Sequence, residues 1–272
     1  MSEERNSLAI DVDSRTVDVA TRGRSAPRIP DTPERKRLER QRGIRQVVFG
    51  VQDGVLTTLG IVTGIGSATS DRATILLTGC LALLVGAISM GVGEFLGNRA
   101  EREVVQNAVD LEQREMLDQP EAEFAEQVAY YKLKGFTDEE AHTIVERLVK
   151  NPDIWLHEMV RDEFGIDLRE AQAGGFRASL GMGASFAFGA ALPVIPFAVS
   201  MLSIGVAMWI GLGFATIALF AIGALAGHLG GRQPILKGLE IVVFGAGVFA
   251  ISYLAGHYIP VLFGMKPVSL GG

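Results

Sequence analysis

Two acidic pairs with the same spacing stand out in this chain: Glu112 with Glu115, and Glu123 with Glu126. Residues three apart share one helical face with Cβ atoms about 5–6 Å apart, within reach of a single bridging cation. One such pair is ordinarily a solvated acidic face. Two pairs on either side of Asp118-Gln119-Pro120 can face each other if the chain folds back there. Met159 and Glu163, spaced i,i+4, can close the same cluster. Without a cation, desolvated carboxylates at that density repel one another; a bound cation stabilises them.

A second group lies in apolar sequence. Asp53 sits about two turns inside a hydrophobic segment, where a carboxylate costs roughly 2.5–3.5 kcal/mol and normally faces a cavity or a partner. Its plainer reading is an interfacial Asp paired with Arg45 or Arg42. The surrounding Gly50, Gly54, Gly60, Gly64 and Gly66 favour function, because they let backbones approach and leave room for a polar path. Met90, in Ser89-Met90-Gly91-Val92-Gly93-Glu94, would alone be packing. Opposite Asp53 it becomes a soft donor beside a hard one, a combination suited to Fe²⁺ rather than Mg²⁺ or Ca²⁺. Glu94 lies one turn further toward the membrane boundary.

Other candidates carry less. Glu139 and His142 form a single Glu-x-x-His, whereas di-iron bundles use two; a helix-start Glu with a surface His fits better. His157, His228 and His257 are isolated and read as structural. Cys80 is the single cysteine, which excludes a disulfide framework and a Cys-based metal site. No Gly-x-x-x-x-Gly-Lys-[Ser/Thr] occurs, so this chain is not expected to hydrolyse ATP or to be an enzyme.

The elements that must position these residues are membrane helices. The chain is 48% hydrophobic, and no Asp, Glu, Lys or Arg occurs from Ala178 to Gly231. A span needs about 20 largely apolar residues. Five spans are expected, near 46–68, 74–97, 176–198, 201–229 and 235–262, with Pro193 and Pro196 dividing the third from the fourth. Residues 1–43 read as a disordered cytoplasmic tail without a signal-peptide core. It ends in the basic run Arg35-Lys36-Arg37, Arg40, Arg42 and Arg45, which by the positive-inside tendency holds the N-terminus in the cytoplasm. Arg232 and Lys237 then also fall inside, and the C-terminus on the opposite side.

Residues 98–172 differ sharply, with 19 Asp+Glu against 9 Lys+Arg. The chain as a whole is −6, so a net −10 is concentrated in one cytoplasmic domain. Its pattern is helical: span two continues to about Leu117, a second helix starts at Pro120 and runs to Lys134, and Thr137-Asp138-Glu139-Glu140 opens a third by a capping box. Asn151-Pro152 closes that helix, and a last one carries Trp155 to Phe164. The expected plan is all-α: tail 1–43, spans one and two in 44–97, acidic domain 98–172, spans three to five in 173–265, and a short C-terminal tail 266–272.

At these residues the chain resembles the vacuolar iron transporter family over roughly 44–265. The segments that carry the likeness are Val51-Gln52-Asp53-Gly54-Val55 with Thr57, Ser89-Met90-Gly91-Val92-Gly93-Glu94-Phe95, Arg161-Asp162-Glu163-Phe164-Gly165 and Leu239-Glu240. The resemblance implies a five-span homodimer that exchanges Fe²⁺ for protons across a lipid bilayer, with a three-helix cytoplasmic metal-binding domain. By motif, Asp53 and Met90 match the membrane ion path, and Glu112, Glu115, Glu123, Glu126, Met159 and Glu163 match the domain's ligands. Where the family can show two adjacent methionines, this chain has Met159-Val160. Fe²⁺ is the expected substrate and domain ligand, with Mn²⁺ and Zn²⁺ as rivals, no prosthetic group and no nucleic-acid partner. The membrane is a plasma membrane if the source is bacterial and an organelle membrane if eukaryotic. The alternative is a membrane-anchored metal sensor or di-iron oxidase whose spans serve only as anchor; an Asp53–Met90 pair inside the membrane argues against it.

Overall fold

The computed structural model describes residues 33–166 and 175–264, with side chains from residue 43 onward. The expected tails, apart from their stretches next to these limits, lie outside the described residues, as do 167–174. Eight helices are present among the described residues: α1 (Pro33–Ala68), α2 (Arg72–Asp118), α3 (Pro120–Leu133), α4 (Asp138–Leu148), α5 (Pro152–Phe164), α6 (Phe176–Ala198), α7 (Ile204–Leu229) and α8 (Pro234–Leu262). There is no strand among them. Five helices (α1, α2, α6, α7 and α8) are long and apolar enough to cross a membrane, which makes this an integral membrane protein. Two compact units result, one of residues 31–96 with 175–272 and one that includes 97–174.

One boundary differs from expectation. α1 begins at Pro33, well before residue 44, so the basic run occupies its first turns. Pro33 is suited to a first helical position, and the residues after it are helix formers until Gly43. α6 ends at Ala198 as expected, with Pro193 and Pro196 in its last turns. The Arg72 guanidinium donates to the carbonyls of Phe197, Val199 and Leu202, which supplies partners to the end of that helix.

In the membrane unit α1 is central. Val51, Val55 and Leu59 pack with Ala215 and Leu219 of α7, while Val62 joins Ile75, Val194, Phe197, Ala207 and Met208 in a second cluster. Glycine makes the α1–α6 contact feasible. A Cβ at Gly54 would fall on the Phe186 carbonyl, and one at Gly189 on the Val51 carbonyl. The Thr58 hydroxyl bridges the same seam, 2.7 Å from Gly54 O and 3.0 Å from Ala190 O. The most apolar stretches of α2 and α8 are only 11% buried, against 44% for α1 and α6, so these two helices form the outer wall.

α2 has 47 residues. At 1.5 Å per residue it is about 70 Å long, over twice the hydrocarbon thickness of roughly 30 Å. Its second half, from Gly97, therefore belongs to the acidic unit. There Met116, Trp155 and Met159 pack with Leu148, Val149 and Leu156, and Val128, Ala141 and Val145 pack with Phe124, Tyr131 and the same Val149. Pro120 opens α3 at its first position. Thr137 and Glu140 form a reciprocal capping box on α4. Asn151 caps α5, and Gly165 ends it in the left-handed conformation at φ +67°, which suits glycine.

Candidate metal sites

In the acidic unit the turn at Asp118-Gln119-Pro120 folds α3 back on the end of α2, and α5 supplies the third wall. Glu112 of α2 is fully buried, and Glu123 of α3 nearly so. The Glu112 carboxyl lies within hydrogen-bond reach of Glu163 on α5 and of Glu123. Among the described residues no N–H or neutral O–H reaches either Glu112 oxygen; its neighbours are other carboxyls, which can share a bond with it only through a retained proton. Burial, the Glu163 contact and the charges of Glu123, Glu163 and Glu115 push Glu112 up to about 9. Glu123 is raised as well, first by burial and then by Glu126 and Glu115.

The six expected ligands are thus unequally placed. Glu112, Glu123 and Glu163 meet directly, while half-buried Glu115 and exposed Glu126 act on them through their charges. Met159 is completely buried against Met116 and Trp155, one turn from Glu163. Among the described residues no three His, Cys, Asp or Glu side chains already stand at metal-ligating positions. The three carboxyls that meet there share retained protons, which a bound cation would replace. Glu139 is exposed at the start of α4, and His142 packs on Phe124 and lies 3.9 Å from Asp138. The Glu-x-x-His pair therefore does not complete a second centre.

One neighbour was not expected. Gln127, one turn after Glu123 on α3, is fully buried, with its amide nitrogen 2.9 Å from Asp162. Its spacing of four from Glu123 was the available signal, but an uncharged Gln reads as a surface residue in a helix so rich in polar side chains.

In the membrane unit, Asp53 is half-buried on α1, with the Thr57 hydroxyl one turn on within hydrogen-bond reach. Gln46, two turns before Asp53 on the same face, donates to Glu94 of α2 at 2.6 Å. Further along, Val62 packs over Gly79. These two contacts set α1 and α2 antiparallel, with Met90 level with Gly50 and Asp53 about level with Ala87. Half-buried Met90 is therefore about one turn from Asp53 in height, between it and Glu94. From Thr57 a groove of about 670 Å³ runs between α1 and α8, past Gly60, Gly64, Ser252 and Gly256. Small residues and hydroxyls in such a seam leave space that larger side chains would fill.

The VIT family pattern matches residues 44–257. Vacuolar iron transporter 1 of Oryza sativa subsp. japonica is 28% identical over 210 residues, covering 77% of this chain and 82% of that protein. Vacuolar iron transporter 1 of Arabidopsis thaliana is 26% identical over 210 residues, with 77% and 83% covered. A vacuolar iron transporter of Toxoplasma gondii is 27% identical over 228 residues, with 81% and 76% covered. With five spans, an acidic helical insert after the second and a match across most of its length, this chain belongs to the vacuolar iron transporter family.

Proposed function

We propose that the protein moves Fe²⁺ out of the cytoplasm in exchange for protons, as a homodimer, with Mn²⁺ as the main competing substrate. The observation that carries this reading is Glu112: a buried carboxyl with no N–H donor on either oxygen among the described residues, facing Glu123 and Glu163. Such a group is satisfied by a proton or by a cation, and exchange of one for the other is the chemistry that proton-coupled metal capture needs. In this reading the acidic domain gathers Fe²⁺ on Glu112, Glu115, Glu123, Glu126, Met159 and Glu163. The ion then passes Glu94 to Asp53 and Met90, and Asp53 alternates between proton and metal. The carboxylate and thioether together suit a borderline ion. The relatives' names support iron as the cargo. The acidic domain and the N-terminus face the cytoplasm, the C-terminus faces the far side, and the membrane is that of an organelle or the cell.

The test is uptake of Fe²⁺, Mn²⁺ and Zn²⁺ into proteoliposomes, with and without a pH gradient. Fe²⁺ accumulation that rises with an inward-acid gradient is the expected result. Metal binding with no flux for any ion would return the spans to the role of an anchor.

A further inference from the structure

Resting on the reading of the acidic cluster as a metal site, we infer that Gln127 is a neutral oxygen donor to the cation gathered by Glu112, Glu123 and Glu163, oriented by Asp162. Gln127 is fully buried, and its Nε2 donates to Asp162 Oδ2 at 2.9 Å. The same Asp162 oxygen takes the Lys134 ammonium, and Arg161 lies 3.8 Å from the other. An ionised Asp162 accepts only, so the amide must present its NH₂ to it and turn its carbonyl oxygen away. That oxygen is buried and meets no donor among the described residues. A buried amide oxygen left so is costly unless something else satisfies it.

Its position says what that is. Gln127 follows Glu123 by one turn of α3, both on the buried face, and Asp162 is next to Glu163 on α5. Glu112 contacts both of those glutamates. Gln127 thus stands on the same buried face of α3 as Glu123, and its amide is tied to the α5 residue next to Glu163. A neutral oxygen adds a ligand for a divalent ion without adding to carboxylate repulsion, and amide oxygens serve hard and borderline cations well. Asp162, pinned by Lys134, acts as the positioning residue behind it.

The test uses full-length protein in detergent carrying Asp53→Ala, so that the membrane path does not contribute. Binding of Fe²⁺ under anaerobic conditions and the Fe²⁺-induced rise in melting temperature are both read. Gln127→Leu keeps the side chain's bulk and removes the oxygen; Fe²⁺ affinity should fall about tenfold or more, the range seen when a supporting ligand is lost. Gln127→Glu keeps an oxygen there but sets a charge beside Asp162; it should melt lower without metal and show a larger rise with Fe²⁺. Glu112→Gln should lose most of the binding. Wild-type affinity in Gln127→Leu, or a smaller Fe²⁺-induced rise in Gln127→Glu, with Glu112→Gln still defective, would reduce Gln127 to a core residue. Wild-type affinity in Glu112→Gln would overturn the cluster itself, and this inference with it.

Discussion

A buried carboxyl whose neighbours are carboxyls keeps its proton until a cation replaces it, and burial with the surrounding carboxyls pushes Glu112 up to about 9. The value in the unfolded chain is 4.5, so between these limits the folded protein binds the extra proton. Metal-free stability should therefore fall as pH rises from about 4.5 to about 9. Glu112→Gln cannot ionise, and its melting temperature should decline less over that window. An unchanged slope would mean that other groups set the pH response. Metal affinity should rise with pH over the same range, because the proton and the cation compete. At Met90 the expectation concerns choice of metal: Met90→Leu preserves volume and should alter stability by less than about 1.5 kcal/mol. Fe²⁺ flux should nonetheless drop relative to protein recovered; an unchanged flux per folded molecule would return Met90 to packing.

At the scale of elements, the helix boundaries were largely legible because local chemistry writes them. Pro120 after Asp118-Gln119, the Thr137–Glu140 box and Asn151-Pro152 each end or start a helix as the side chains require. What could not be read was depth. Glu112 and Glu115 have the same spacing as Glu123 and Glu126, yet burial falls on the first of each pair. That choice is made by α5 packing across both helices, a tertiary fact that no local period encodes. Met159 was legible as a methionine near Glu163, but not as a core residue wedged against Trp155. Glycine was legible as close packing, and the structure shows which glycines matter. Gly189→Ala would press a methyl into the Val51 carbonyl, so it should destabilise the α1–α6 seam by about 1–3 kcal/mol, outweighing the gain of up to about 1 kcal/mol in helix propensity. Gly247→Ala on α8 meets nothing within 4 Å and should be neutral or stabilising. Thermal unfolding in detergent compares the two; equal effects would contradict this packing. In the acidic unit, changing Glu112, Glu115, Glu123 and Glu126 together to Gln should leave metal-free protein at least as stable as the parent, since like charges are removed. It should then gain little from metal, where the parent gains about 2.7 kcal/mol at a hundredfold excess over Kd.

In the whole molecule one helix, α2, carries Met90, Glu94 and Glu112. In the proposed exchange, metal and proton move in opposite directions and both depend on Asp53. Proteoliposomes loaded with a pH-sensitive dye and supplied with Fe²⁺ outside report both fluxes together. The wild-type protein should take up Fe²⁺ while releasing protons from the lumen, and Asp53→Ala should abolish both while inserting and folding normally. Fe²⁺ uptake by well-folded Asp53→Ala at the wild-type rate, or uptake with no proton movement in the wild type, would contradict the account.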